Sequence, residues 1–356
     1  MNDAFERLMA DATRLTRAGD LQAATAAIQT ALGGSAAPAR GDPCDVIDVI
    51  DIEAREVVEA DVDATTPPPP TETSQAGQFI AGSHTDAIGS RTYKLYVPPH
   101  YRGQPLPLVV MLHGCTQDPD DFAAGTGMND AAREQGVFVL YPAQSQKANP
   151  SRCWNWFKHN HQSRGRGEPA LLAGMTRAVI ERWHIDPQRV YVAGLSAGGA
   201  MAAILGQAYP ELFAAVGVHS GLPTGAAADM PSAFAAMKGS GAERSASAQR
   251  SPPTIVFHGD QDATVHPVNG ERVASAGTAN ASMHSERLDN SNGRACTQHT
   301  YRDLEGRVVA EHWVVHGAGH AWSGGNRRGS YADSQGPDAT REMLRFFAAH
   351  GRAAKH

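Results

Sequence analysis

Apolar residues along the chain fall into two regimes. Over residues 3–33 they recur at helical spacing, first Phe5, Leu8, Met9, Ala12 and Leu15, then Leu21, Ala24, Ile28 and Leu32. Ala18-Gly19-Asp20 interrupts the pattern and Gly33-Gly34 ends it, which predicts a helical hairpin. Residues 34–80 are acidic and carry Pro67 to Pro70, the composition of a semi-rigid linker that cannot bury a core. From residue 81 onward, short β-branched runs alternate with helical patterns. Strands are predicted at 91–99, 107–114, 137–142, 189–195, 213–221, 253–260 and 307–317. Helices are predicted at 119–135, 169–183, 197–209 and 338–349. Strand–helix–strand alternation over this length predicts an α/β fold, a doubly wound, mostly parallel sheet occupying 81–356. The Ala-, Ser- and Gly-rich stretch 224–251 reads as a surface insertion or cap.

Charge narrows the range of partners. The net charge is −6, but residues 1–80 alone carry −9, leaving +3 on the remainder. A nearly neutral body has no basic face for nucleic acid. No stretch of 18 apolar residues predicts a transmembrane span, and the N-terminus lacks a secretory pattern, so a cytoplasmic location is the expectation. Cys44, Cys115, Cys153 and Cys296 form no CxxC pair, and His159-Asn160-His161 lacks a third ligand at metal spacing, so neither metal nor cofactor is expected.

The chemistry centres on Gly194-Leu195-Ser196-Ala197-Gly198, a G-x-S-x-G between a predicted strand and a predicted helix. A serine nucleophile on so sharp a turn needs glycines two residues away on each side, and the following helix offers the N–H of Ala197 to a developing oxyanion. His113-Gly114 ends an earlier strand, and the next backbone N–H, from Cys115, is the second oxyanion candidate. An acid must hold the base's imidazole in the correct tautomer. Asp262 is favoured over Asp260, both just past the 253–260 strand. His320, on the glycine-rich loop after the last strand, is favoured as base over His316. The order Ser196, Asp262, His320 is more specific than any one of the three. Trp154 and Trp156 read equally as an apolar pocket wall or as core. Trp322, two residues after His320, is expected to line the pocket. His219-Ser220-Gly221 reads as a strand end rather than a second nucleophile.

The blocks LHGCTQ, SRCWNWF, GLSAGG, HSGLP, HGDQDATVHP and GAGHAWSGG, in order over 112–325, resemble the polyhydroxybutyrate depolymerase family of esterases, which includes feruloyl and acetylxylan esterases. The resemblance implies an α/β-hydrolase fold, a triad of Ser196, Asp262 and His320, and an oxyanion hole at Cys115 and Ala197. It implies hydrolysis of carboxylic esters, such as a hydroxyalkanoate oligomer or polymer or a small acyl or aryl ester, through an acyl-enzyme and without a cofactor. Placing Cys115 and Cys153 near that implied site suggests a disulfide between them. The separate polymer-binding domain common among secreted relatives is not evident. The N-terminal hairpin lies outside the shared region, and association with polymer granules through it is a further expectation, as is the competing reading of a non-catalytic granule-binding protein.

Overall fold

The computed structural model describes residues 76–240, 251–289 and 293–352. The expected hairpin at 1–33, nearly all of the linker, Cys44 and part of the 224–251 insertion lie outside the described residues.

Ten strands form one sheet. In chain order they are β1 (Gln78–Asp86), β2 (Gly89–Val97), β3 (Leu108–Leu112), β4 (Phe138–Pro142), β5 (Val190–Leu195), β6 (Ala215–His219), β7 (Thr254–Gly259), β8 (Ser282–Leu288), β9 (Cys296–Arg302) and β10 (Val308–Val315). Their spatial order is β1-β2-β4-β3-β5-β6-β7-β10-β9-β8. The six central strands, β4 to β10 in that order, are mutually parallel, and an antiparallel pair extends each side. A parallel sheet covered by helices on both faces needs strands apolar on both faces. The sequence meets this: β3, β4, β5 and β6 are buried at every position.

The helices are α1 (Pro119–Thr126), α2 (Met128–Gln135), α3 (Gly167–Arg182), α4 (Ala197–Ala208), α5 (Met230–Met237), α6 (Val268–Ser275) and α7 (Ala339–Ala348). They divide the core in two. Leu108, Val110 and Leu112 of β3 face one cluster with Met201 and Leu205 of α4. Val109 and Met111 face the other, with Phe346 and Phe347 of α7.

The sheet is thus doubly wound and mostly parallel, as the alternation predicts. Three details differ. The single helix expected over 119–135 is two, because Gly127 takes a left-handed φ of 63° that ends α1. β1 starts at Gln78, within the expected linker, and pairs with β2 along its whole length. β8 and β9 form an antiparallel edge that no apolar pattern announces.

Candidate active site

β5 passes into α4 through Ser196, whose φ of 57° and ψ of −118° place a non-glycine residue in sparsely populated backbone. Such a conformation costs on the order of 1–3 kcal/mol and persists where its surroundings dictate it. Two hydrogen bonds do so here: the Ser196 N–H donates to the His219 carbonyl at 2.8 Å, and the Ser196 carbonyl accepts from Ala200 N–H at 2.9 Å. The flanking glycines are sterically required. A Cβ on Gly194 would lie 2.4 Å from the Gly198 carbonyl, and one on Gly198 would lie 2.0 Å from the Leu112 carbonyl oxygen and 2.6 Å from that of His113. Ser196 is half-buried, and its hydroxyl makes no hydrogen bond among the described residues, leaving it available to a substrate.

Two backbone donors flank the turn. Ala197 is the first residue of α4, where N–H groups lack intrahelical acceptors. Neither its N–H nor that of Cys115 has an acceptor among the described residues. The loop bearing Cys115 is fixed from several sides. His113 Nδ1–H donates to the Gly114 carbonyl at 2.7 Å. Gly114 N–H donates to Gln117 Oε1 at 2.9 Å. Thr116 N–H donates to the Ser151 carbonyl at 2.7 Å. Cys115 is disulfide-bonded to Cys153, as the sequence suggested. The His113 ring accepts the Gln144 N–H at 3.1 Å, and burial pushes it down to about 4, so it stays neutral. Behind it, the buried Glu168 carboxylate accepts from Asn155 N–H at 2.7 Å and from Gln144 Nε2 at 2.5 Å. Apart from the disulfide, this support, spread over four segments, had no motif to reveal it.

The acid and the base meet. His320 Nδ1–H donates to Asp262 Oδ2 at 2.7 Å, and Asp262 is buried. Burial alone would raise the Asp262 carboxyl. Hydrogen bonds from His258 and His320, the His320 charge and the Val265 N–H outweigh it and hold the group far below the usual carboxylate range. The rival residues pair separately: His316 Nδ1–H donates to Asp260 Oδ2 at 3.0 Å, and Asp260 Oδ1 accepts Gly317 N–H at 2.7 Å. Asp260 and His316 therefore brace the base of the loop that carries His320. His219 also supports that loop. Its Nε2 accepts the Ser323 N–H at 2.9 Å, and its ring stacks on Trp322 with centroids 5.0 Å apart. Burial, then the nearby His258 and His320, pushes its pKa down to about 3.

All three candidate pocket tryptophans are buried. Trp154 is 0% exposed and donates its indole N–H to the His113 carbonyl at 3.1 Å. Trp322 is 1% exposed and donates to Thr340 Oγ1 at 3.0 Å. Both indoles are buried with their polar edge satisfied, and both tie segments at the site to the rest of the fold. Trp156 is also buried, edge-on to Phe157. His159 and His161 lie on a short 3₁₀ turn. No group of three side chains suited to a metal ion occurs among the described residues. No described helix is long and apolar enough to cross a membrane.

The chain matches known proteins. It is 33% identical over 228 residues to poly(3-hydroxyalkanoate) depolymerase C of Paucimonas lemoignei, covering 60% of this chain and 54% of that protein. It is 30% identical over 239 residues to poly(3-hydroxybutyrate) depolymerase of Ralstonia pickettii, covering 61% and 48%. The chain thus spans about half the length of these curated relatives. Among solved structures, an acetyl xylan esterase from Aspergillus awamori superposes with a TM-score of 0.57 at 19% identity, over 76% of this chain and 99% of that one, a likeness of fold. That fold is the α/β-hydrolase fold. The profile of the family described as "Esterase PHB depolymerase" matches residues 91–293. More than half of the sequence falls within that match, and the chain belongs to the esterase PHB depolymerase family.

Proposed function

We propose that the chain is a serine carboxylic ester hydrolase acting on poly- or oligo(3-hydroxyalkanoate), with Ser196 as nucleophile, His320 as general base and Asp262 as its orienting acid. The observation that carries this reading is the Asp262–His320 pair at 2.7 Å, its carboxylate buried, together with a strained serine turn and two unpartnered N–H groups. His320 Nε2 takes the Ser196 proton as Oγ attacks the ester carbonyl. The N–H groups of Cys115 and Ala197 receive the oxyanion. His320 returns the proton to the departing alkoxide, leaving an acyl-serine. Water, deprotonated by His320, then releases the acid and restores the serine. Asp262 stays ionised throughout, stabilising the imidazolium. The polyester preference is supported by the two depolymerase relatives. Granule association through residues 1–33 is part of the same proposal. The likeness to an acetyl xylan esterase keeps small acyl groups on polysaccharide as the second reading.

The test is hydrolysis of p-nitrophenyl esters, 3-hydroxybutyrate oligomers and methyl ferulate by wild type and Ser196→Ala side by side. Wild-type turnover should fall on the order of 10⁶-fold in the variant, with the oligomers as preferred substrates. A folded wild type inert towards every ester would sink the enzyme reading and favour a binding protein.

A further inference from the structure

Asp262 receives three hydrogen bonds and one longer approach, two of the four contacts at each oxygen. Oδ1 accepts from Thr264 N–H at 2.9 Å and Val265 N–H at 2.8 Å. Oδ2, the oxygen that serves His320 at 2.7 Å, has one other neighbour of this kind, His258 Nε2 at 3.4 Å. His258 lies on β7 and is 1% exposed. The same Nε2 lies 2.8 Å from the Val265 carbonyl. A carbonyl only accepts, so the proton sits on Nε2, bonded to the carbonyl with the carboxylate oxygen farther off at 3.4 Å. The opposite nitrogen, Nδ1, is then a lone pair. It is buried and has no hydrogen-bond partner among the described residues. Gly270 of α6 presses on the imidazole: a Cβ there would approach Nδ1 to 2.7 Å.

We propose that His258 is a positioning residue of the triad, whose Nε2–H holds the carboxylate oxygen facing His320 and limits how strongly that oxygen pulls on the imidazolium. The inference rests on the ester-hydrolase reading. Without this N–H, Oδ2 serves His320 alone, the carboxylate is less stabilised, and it grips the imidazolium harder. The enzyme must then reach a higher pH before His320 is free to act as base. Among the described residues, His219 on β6 and His312 on β10 also interact electrostatically with His258. Burial keeps both uncharged until about pH 3, below the range that matters here.

The experiment measures kcat/KM for p-nitrophenyl butyrate from pH 5 to 9, per active site titrated with a fluorophosphonate, in wild type, His258→Leu and His258→Gln. Leucine removes the donor, whereas the glutamine amide nitrogen reaches the place of Nε2. The leucine variant should move the acid limb upward by about one pH unit, giving about tenfold less activity at pH 5.5 but near-equal activity at pH 8.5. Glutamine should restore the wild-type limb. An unmoved limb in the leucine variant, or equal losses at every pH in both variants, would overturn the proposal. Should the leucine variant fail to fold, His258→Asn, whose amide stops short at the level of Nδ1, replaces it with the same two outcomes. A wild type without esterase activity would refute the function instead.

Discussion

Replacing both Cys115 and Cys153 by alanine separates what the disulfide does for the fold from what it does for catalysis. The bridge closes a loop with a sequence separation of 38. In the chain-entropy treatment, a loop of that size destabilises the unfolded state by about 4 kcal/mol. For a domain of this size that corresponds to a fall of roughly 10 °C in Tm. Catalysis should suffer less. The Cys115 N–H is backbone and survives the substitution. The loop also keeps the bonds from Thr116 N–H to Ser151 and from Trp154 Nε1 to the His113 carbonyl, each contributing about 1 kcal/mol. Losing an oxyanion donor outright costs about 10²–10³ in kcat. A loop still held by these bonds should lose about tenfold or less. Differential scanning fluorimetry and p-nitrophenyl butyrate turnover at 25 °C read the two quantities on one sample. An unchanged Tm would refute the unfolded-state argument. A kcat loss of a hundredfold or more would refute the claim that hydrogen bonds alone can seat the donor.

Two further predictions follow from the polar groups around the site. Asp262→Asn should lower kcat on the order of 10⁴-fold by favouring the wrong His320 tautomer. Asp260→Asn, which touches the His316 pair at the loop base, should cost less than about tenfold, and equal losses in steady-state assays would contradict the assignment of the acid. Stability should fall in acid because His113, His219 and His312 are held neutral by burial down to about 4, 3 and 3. The unfolded chain binds these protons from about pH 6.5 downward while the folded chain does not, so stability is full above that value and declines below it. The three histidines alone remove about 4 kcal/mol between pH 7.5 and 5.5, readable as a falling urea midpoint. A flat midpoint over that interval would contradict their burial.

What the sequence makes legible follows from where each element is buried. β3, β5 and β7 are read directly because a strand covered on both faces leaves an uninterrupted apolar run. β8, SMHSERL, is exposed at all but its last position, and β9, CTQHTYR, is half-buried. Neither carries a periodicity to detect. The serine turn is legible because its glycines answer to backbone atoms two and more residues away, so the local spelling encodes the geometry. Asp262 and His320 are legible by chain order after strands. The role of Trp322 is not, because the partner of its indole, Thr340, comes from the closing helix. His258 hides for a similar reason: nothing in the spacing of His258 to Asp262 says that the ring nitrogen facing the carboxylate also meets the carbonyl of Val265.

The proposed chemical groups all stand at the carboxyl ends of parallel strands: Cys115 after β3, Ser196 after β5, Asp262 after β7 and His320 after β10, with the carbonyl of His219, the last residue of β6, gripping Ser196. No segment of the chain contains the site by itself. Its inheritance is therefore that of the sheet as a whole, and lineages can lengthen, trim or exchange the connections around it without disturbing the register that brings the groups together. The parallel strands fix the positions of these groups, while the connections around them lie at the surface, where insertions are tolerated most cheaply. Such a scaffold lets new substrates be acquired by addition at the rim, long before any reacting residue has to change.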